Sequence, residues 1–356
     1  MQQIAVAVGV SKATVSLALR DDARITPAVR AKVRAAAAAA GYRPNPLVAV
    51  HMAHLRTSQA PQWRATLGYL VHLTKDQWAR NRLRPEGRCH TGAAERARAL
   101  GYTLEIFWLA EAGMTAARMT GILASRGVPG VIVAPWPRAG LADPLDLDWS
   151  QFAAATVGYA FQEPNLHRAC HDNYSTMGRA LAELARRGYA RVGFAAPAED
   201  DERVNHLWLA RFLAFQAALP PRHRVAPLLT REWNRESFLR WVRRAKPDVL
   251  VTTRSGDAPE WLARARLGPE KIGVLSVFWR REVATCSGFD QNFELLGASA
   301  IDLVVAQLQR NERGLPAAPK IMLLPGEWRE GATLRRAPVA AVPDSPASAQ
   351  RSKPVA

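Results

Sequence analysis

Residues 4–46, IAVAVGVSKATVSLALRDDARITPAVRAKVRAAAAAAGYRPNP, constrain the fold more than any other part of the chain. They read as a helix, a turn at Gly9, a second short helix from Ser11, and a third helix closed by Gly41 with Pro44 beyond. Ser11 suits an N-cap, because its hydroxyl accepts from a free backbone N–H of the first turn. Thr26 and Pro27 open the third helix as N-cap and N1, and Gly41 fits the C′ position. In the second helix Val15, Ala18 and Leu19 share one face. A helix of about nine residues does not stabilise itself in water, so this stripe must pack on its neighbours. The remaining side, with Lys12, Ala13, Ser16 and Leu17, faces outward and suits entry into a DNA major groove. An ordinary three-helix bundle has the same spacing, so spacing alone leaves both readings open.

The residues are more specific than the spacing. Ala5, Gly9, Val10, Ser11, Thr14, Val15 and Ser16 match the A-x-x-x-G-V-S-x-x-T-V-S of the lactose-repressor/galactose-repressor (LacI/GalR) family. Ile25, Arg30, Lys32, Val33, Gly41, Tyr42, Pro44 and Asn45 match its following I/V-x-x-x-T-R-x-K-V and G-Y-x-P-N, with Val29 where the family often has Thr. This stretch resembles that family's headpiece, which implies operator contacts from Ser11, Lys12, Ala13, Thr14, Ser16, Leu17 and Asn45. The resemblance also implies a hinge helix and linker over 47–62 that orders on DNA and inserts a leucine into the minor groove. The leucine position falls here on His51, with Met52 beside it, so the wedge is either Met52 or a groove contact by His51. Family members carry a few residues upstream, so the first helix begins before Met1 or frays there.

Charge agrees with the headpiece reading. Residues 1–61 carry eight Lys and Arg against two Asp, and the whole chain has a net charge of +17. Per residue the headpiece is two to three times as basic as the rest, as a phosphate-binding module requires. The remaining positive charge is mostly arginine and is not read as a second nucleic-acid site. Cys89, Cys170 and Cys286 have no metal-ligand spacing and suit buried thiols in a reducing cytoplasm. Neither a run of about 18 apolar residues nor a signal-peptide core is present, so the expectation is a chain neither exported nor membrane-spanning.

From Ala65 onward strands and helices alternate. Strands are expected at ATLGYLVHL, TLEIFWL, GVIVAPW and over 153–159, 191–197, 248–253, 271–277 and 284–290. Helices are expected over 90–100, 115–126, 175–187, 202–218, 235–245 and 292–310. Alternation at this spacing argues for an α/β fold of parallel sheets, and 356 residues suit a headpiece plus two lobes. GVPGVIVAPW, HDNYSTMGRALAELARRGYARVGFAAP and GFDQNFELLGASAIDLVVAQL resemble the family's effector-binding core, which implies a periplasmic-binding-protein-like fold and a homodimer. The expected domains are a headpiece (1–46) and a core (63–336). The core divides into an N-lobe, about 63–160 and 291–322, and a C-lobe, about 161–290 and 323–336. The Pro/Ala/Ser-rich tail, 337–356, has the composition of a disordered segment.

Ligands of such sheets sit beyond the carboxyl ends of the strands. That rule makes His72, Thr74, Trp136, Tyr159, Phe161, Asp172 and Asp290 candidates, with Asp290 as polar anchor. The resemblance adds Trp208 and Arg254, at positions where the family commonly grips sugar hydroxyls with other residue types. It implies a small-molecule effector between the lobes, a sugar or related metabolite, with no cofactor and no metal. Glu199–Glu202 reads as solvated loop charge, and no nucleophile elbow, P-loop or H-E-x-x-H motif supports catalysis. The competing reading is a ligand-binding receptor of periplasmic-binding-protein type without DNA function; an effector-controlled regulator, a repressor, fits the headpiece.

Lys12 can donate to guanine O6/N7, whereas Ala13 and Leu17 offer only apolar contact. Replacing Lys12 by Ala therefore costs on the order of 1–3 kcal/mol at one base pair and relaxes preference there. Equal weakening on every duplex in a binding titration would mean that Lys12 touches phosphate alone.

Overall fold

The computed structural model describes residues 2–18, 25–39, 65–80, 84–136 and 145–335. Side chains of Lys12, Ala13 and Ser16, and all of Asn45, His51, Met52, the hinge segment 47–62 and the tail 337–356, lie outside the described residues.

The headpiece is three helices: α1 (Gln2–Val8), α2 (Lys12–Ala18) and α3 (Pro27–Ala39). Each packs on the other two, and Ile4, Ala5, Val15, Ala18, Val33 and Ala37 form their shared core. Gly9 joins α1 to α2 at φ +70°, a conformation that glycine adopts without strain.

The chain forms two compact units, one of Met1–Thr176, Pro197–Ala210 and Asp290–Glu327, the other of Met177–Ala196, Arg211–Phe289 and Trp328–Ala356. In the first, β1 (Thr66–Val71), β2 (Thr103–Trp108), β3 (Gly130–Val133), β4 (Ala153–Val157), β5 (His167–His171) and β11 (Ile321–Leu324) make a sheet of order β11-β5-β4-β3-β1-β2. Its pairings are parallel. Around it run α4 (Lys75–Ala79), α5 (Pro85–Ala99), α6 (Ala116–Ser125) and α12 (Phe293–Gln309). Buried strands β1, β3 and β4 are largely apolar on both faces, as a covered parallel sheet requires, whereas buried β5 carries His167, Arg168 and His171.

In the second unit β6 (Val192–Pro197), β7 (Leu228–Thr230), β8 (Val249–Thr252), β9 (Gly273–Ser276), β10 (Ser287–Asp290) and β12 (Glu327–Arg329) make a sheet of order β12-β10-β9-β8-β6-β7. Its helices are α10 (Arg235–Ala245) and α11 (Asp257–Arg264) together with α7 (Asn173–Arg186) and α9 (Leu207–Ala217), whose first turns lie in the first unit, as does short α8 (Ala198–Glu202).

Several sequence expectations are corrected. Helix α5 starts at Pro85, not near 90, because Pro at N1 opens a helix whose first turn the sequence reading left as loop. The single helix expected over 202–218 is two, broken where Asn205 and His206 take positive φ. Strands β5 and β11 pair in the first sheet, so the chain leaves the first unit after Thr176 and Glu327 rather than near 160 and 323. Asp200 and Asp201 are buried rather than solvated: Asp201 accepts from the Leu209 N–H at 3.0 Å and lies 3.0 Å from His206 Nδ1.

The tightest packing is α5 on α12. A Cβ on Gly92 would stand 1.9 Å from the Glu294 carbonyl oxygen, and one on Gly297 would stand 1.9 Å from that of Cys89. Backbone has nowhere to move, so Gly92→Ala should destabilise the chain by about 3 kcal/mol or more. Gly121, on α6 with nothing within 4 Å, is the control; Gly121→Ala should stabilise by roughly 0.5–1 kcal/mol. Thermal unfolding of both variants checks the pair.

Candidate DNA-binding and effector-binding residues

In the headpiece the Ser11 hydroxyl accepts from the Thr14 N–H at 3.0 Å, closing the first turn of α2. The Thr14 hydroxyl stands 2.8 Å from it, so one of the two hydroxyls is the donor between them. Val15 and Ala18 are fully buried, Ser11 is exposed, and Thr14 and Leu17 are half-buried. Helix α2 thus turns its small apolar residues into the headpiece core and keeps Ser11 outside it. The Thr26 hydroxyl accepts from the Val29 N–H at 3.5 Å at the head of α3, a long capping contact.

In the first unit, five expected ligand residues stand just past the carboxyl ends of parallel strands: His72 and Thr74 after β1, Trp136 after β3, Tyr159 after β4 and Asp172 after β5. Three aromatic rings meet there. His72 lies on Trp136 with centroids 4.6 Å apart and planes 32° apart, and Phe161 meets Trp136 edge-on at 5.3 Å. Burial lowers the His72 pKa from its ordinary value, which favours the uncharged ring.

Several of the other expected residues are already engaged within the protein. The Thr74 hydroxyl accepts from the Gln77 N–H at 3.2 Å, while Gln77 Oε1 accepts from the Thr74 N–H at 2.9 Å, a capping box that starts α4. Asp172 accepts from the Ser175 N–H at 2.9 Å in the same capping manner. Burial, the neighbouring Cys170 and a hydrogen bond between the two push the Tyr159 pKa up to about 12. Trp208 is fully buried, with no hydrogen-bond partner for Nε1. Arg254 belongs to the second unit, after β8, with its N–H donating to the Thr252 hydroxyl at 3.0 Å.

Asp290 departs furthest from expectation. Its two oxygens receive Arg88 Nη1 at 3.1 Å and Nη2 at 3.2 Å, and Oδ1 also accepts from the Asn292 N–H at 3.0 Å. Arg88 donates further to Glu294, from Nε at 2.9 Å and Nη2 at 2.6 Å. Burial alone would lower the Arg88 pKa; its hydrogen bonds to Glu294 and Asp290 more than reverse this and hold it above its ordinary value. Asp290 is therefore an internal counter-ion as well as a strand-end carboxylate. The sequence reading missed Arg88 because it began this helix at 90; a start at Pro85 sets Arg88 four residues before Gly92, on the buried face.

Among the described residues no group of three His, Cys, Asp or Glu is placed to hold a metal, and no helix is long and apolar enough to cross a membrane. All three cysteines are buried; burial pushes the Cys170 thiol up to about 12 and that of Cys286 to about 11, so both stay protonated and unreactive.

Residues 1–45 match the model of bacterial regulatory proteins, lacI family, and residues 181–334 match that of a periplasmic binding protein-like domain. The chain belongs to the lacI family. As a lacI-family protein it is a DNA-binding transcriptional regulator with an effector-binding core, and not an enzyme. No curated protein matches the chain. Among solved structures, a transcriptional regulator CelR–cellobiose complex is similar at 18% identity and TM-score 0.56, covering 93% of this chain and 98% of that one. The lac repressor dimer bound to operator and the anti-inducer ONPF is similar at 18% identity and TM-score 0.55, with the same coverage. The trehalose repressor from Escherichia coli aligns over 74% of this chain and 99% of its own, at 14% identity and TM-score 0.52. At such identities the likeness carries the fold.

Because Arg88 and Asp290 are both nearly excluded from water, removing one leaves a buried charge. Asp290→Ala should destabilise the protein by about 3–5 kcal/mol with or without a ligand. Arg88→Met with Asp290→Asn should recover part of that loss in the same unfolding titration. A single Asp290→Ala chain as stable as wild type would return Asp290 to the role of free ligand anchor.

Proposed function

We propose that the chain is a cytoplasmic repressor that binds operator DNA as a homodimer and changes operator affinity when a small neutral effector occupies its core. The headpiece carries the first half of this reading: α2 buries Val15 and Ala18, keeps Ser11 exposed, and follows a glycine turn from α1. One headpiece offers few base contacts, so useful affinity requires two half-sites read by a two-fold dimer. The outer faces of α5 and α6 are the candidate pairing surface, since Glu95, Arg96 and Arg98 on α5 and Gly121 on α6 are exposed.

The effector class follows from His72, Trp136 and Phe161. Rings grouped at the strand ends, with burial biasing the His toward its uncharged form, favour the apolar face of a sugar or another neutral ring over a carboxylate or phosphate. Cellobiose in the CelR complex is a ligand of that kind. An effector acts only through a difference in affinity between two states, and about 1–3 kcal/mol of coupling changes operator binding by about 5–150-fold.

A gel shift at low salt with duplexes tiling the flanking promoter region, with and without a panel of neutral sugars, tests the reading. One duplex should be retained specifically and released, or tightened, by one sugar; Trp136→Ala should retain the duplex and lose the response. Specific retention of no duplex would overturn the regulator reading, and an unchanged response in Trp136→Ala would overturn the assignment of the ligand wall.

A further inference from the structure

The positive charge of the core is not spread evenly. In the second unit, residues 177–196, 211–289 and 328–335 hold 21 Lys and Arg against 9 Asp and Glu; in the first, 65–176, 197–210 and 290–327 hold 15 against 19. The excess of the second unit gathers at the carboxyl end of α10. There Phe238, Leu239, Trp241 and Val242 are buried, while Arg243, Arg244 and Lys246 are exposed. The Arg191 guanidinium ties a second segment to this helix end. It donates to the carbonyl oxygens of Ala245 at 2.6 Å and Lys246 at 3.0 Å, and also to that of Arg222. Arg222 and Arg224 are exposed as well, and Arg224 donates only to the carbonyl oxygens of Leu219 and Ala217, at 2.8 and 3.1 Å.

Five cations, Arg191, Arg222, Arg243, Arg244 and Lys246, thus lie at or next to one helix end, with Arg224 at the carboxyl end of α9, the preceding helix in the chain, and none of the six is paired with a carboxylate among the described residues. Asp248, the acid close by in the chain, spends its oxygens on the backbone N–H groups of Ala190 and Arg191, at 2.8 and 3.0 Å. The helix dipole favours cations in the last turn of α10, and Arg224 serves the last carbonyls of α9 in the same way, but neither accounts for Arg222, brought in from another segment. Uncompensated like charge held this close repels itself in the free protein and makes a concentrated site for a polyanion.

We infer that this cluster binds the phosphate backbone of a nucleic-acid duplex, as a second contact separate from the headpiece. Two observations favour a phosphate backbone over an acidic protein. Protein interfaces are built around buried aromatic and apolar anchors, yet Leu213 on α9 is the large apolar side chain this unit exposes among the described residues. Backbone binding needs only fixed cations, and the headpiece already brings the chain to DNA.

The test is the number of short operator-free duplexes, about 16 base pairs in about 50 mM salt, bound per full-length chain in sedimentation velocity. R222A/R243A/R244A/K246A should bind fewer duplexes per chain than wild type. The lost class should show a slope of log K against log salt of about −3 to −4. A variant of equal charge change in the same unit, R264A/R266A/K271A/R280A, should keep the wild-type number. Equal numbers in wild type and the first variant, or an equal loss in both variants, would overturn the site. Polyglutamate binding abolished by the first variant with duplex number unchanged would assign the cluster to an acidic protein instead.

Discussion

The contact on which the first lobe depends is the crossing of α5 and α12. Gly92 and Gly297 let each helix set its backbone against the other, with Glu294 and Cys89 carbonyls where a methyl group would otherwise stand. Close approach of this kind gives dense packing but leaves no room for side chains to separate charge from the interior. Arg88 therefore lies at the seam, nearly buried, and requires carboxylates; Asp290 and Glu294 supply them from the end of β10 and the first turn of α12. Removing water from such a group costs several kcal/mol unless its donors are met, and here the fork meets two carboxylates. Helix α12 in turn covers β3, β4 and β5, and the Gln307 amide both donates to and accepts from the backbone of Ala154. Strand β5 begins only opposite Ala155, so Gln307 satisfies backbone groups that the neighbouring strand does not reach.

That seam bears on the strand ends where the aromatic wall stands. β1, β3 and β4 project His72, Trp136 and Phe161 from a sheet whose register is fixed by residues apolar on both faces. Rings carried on buried strands lose little further freedom on meeting a ligand, which is how a site of few polar groups attains affinity. The headpiece works on a different balance. Its core is six small or branched residues, and its surface charge rather than its packing is what meets DNA.

The sequence was legible where the information is local. The caps at Ser11 and Thr26, the glycine turn at Gly9, and the strand runs TLGYLV, TLEIFW and GVIV all rest on neighbours within a few residues, and the structure has them at those places. The family motifs added specificity that spacing alone lacked. Three-residue β7 and β12 and the exposed IMLL of β11 were not singled out as strands, since such short edges carry no periodicity of their own.

What the sequence concealed is non-local. Asp290 looks like a ligand anchor because it ends a strand, and nothing near it in sequence announces Arg88, 202 residues away. Asp201 looks solvated because it sits in an acidic run, yet the chain folds Leu209 and His206 back onto it. Charge behaves in the same way on a larger scale. A net charge averages over lobes that fold apart, so the acidic excess of one conceals the basic excess of the other. Residue type and local pattern thus identify which groups are able to bind something. Which of them also serve the protein itself is decided by partners that only the fold brings near, as Arg88 is brought to Asp290.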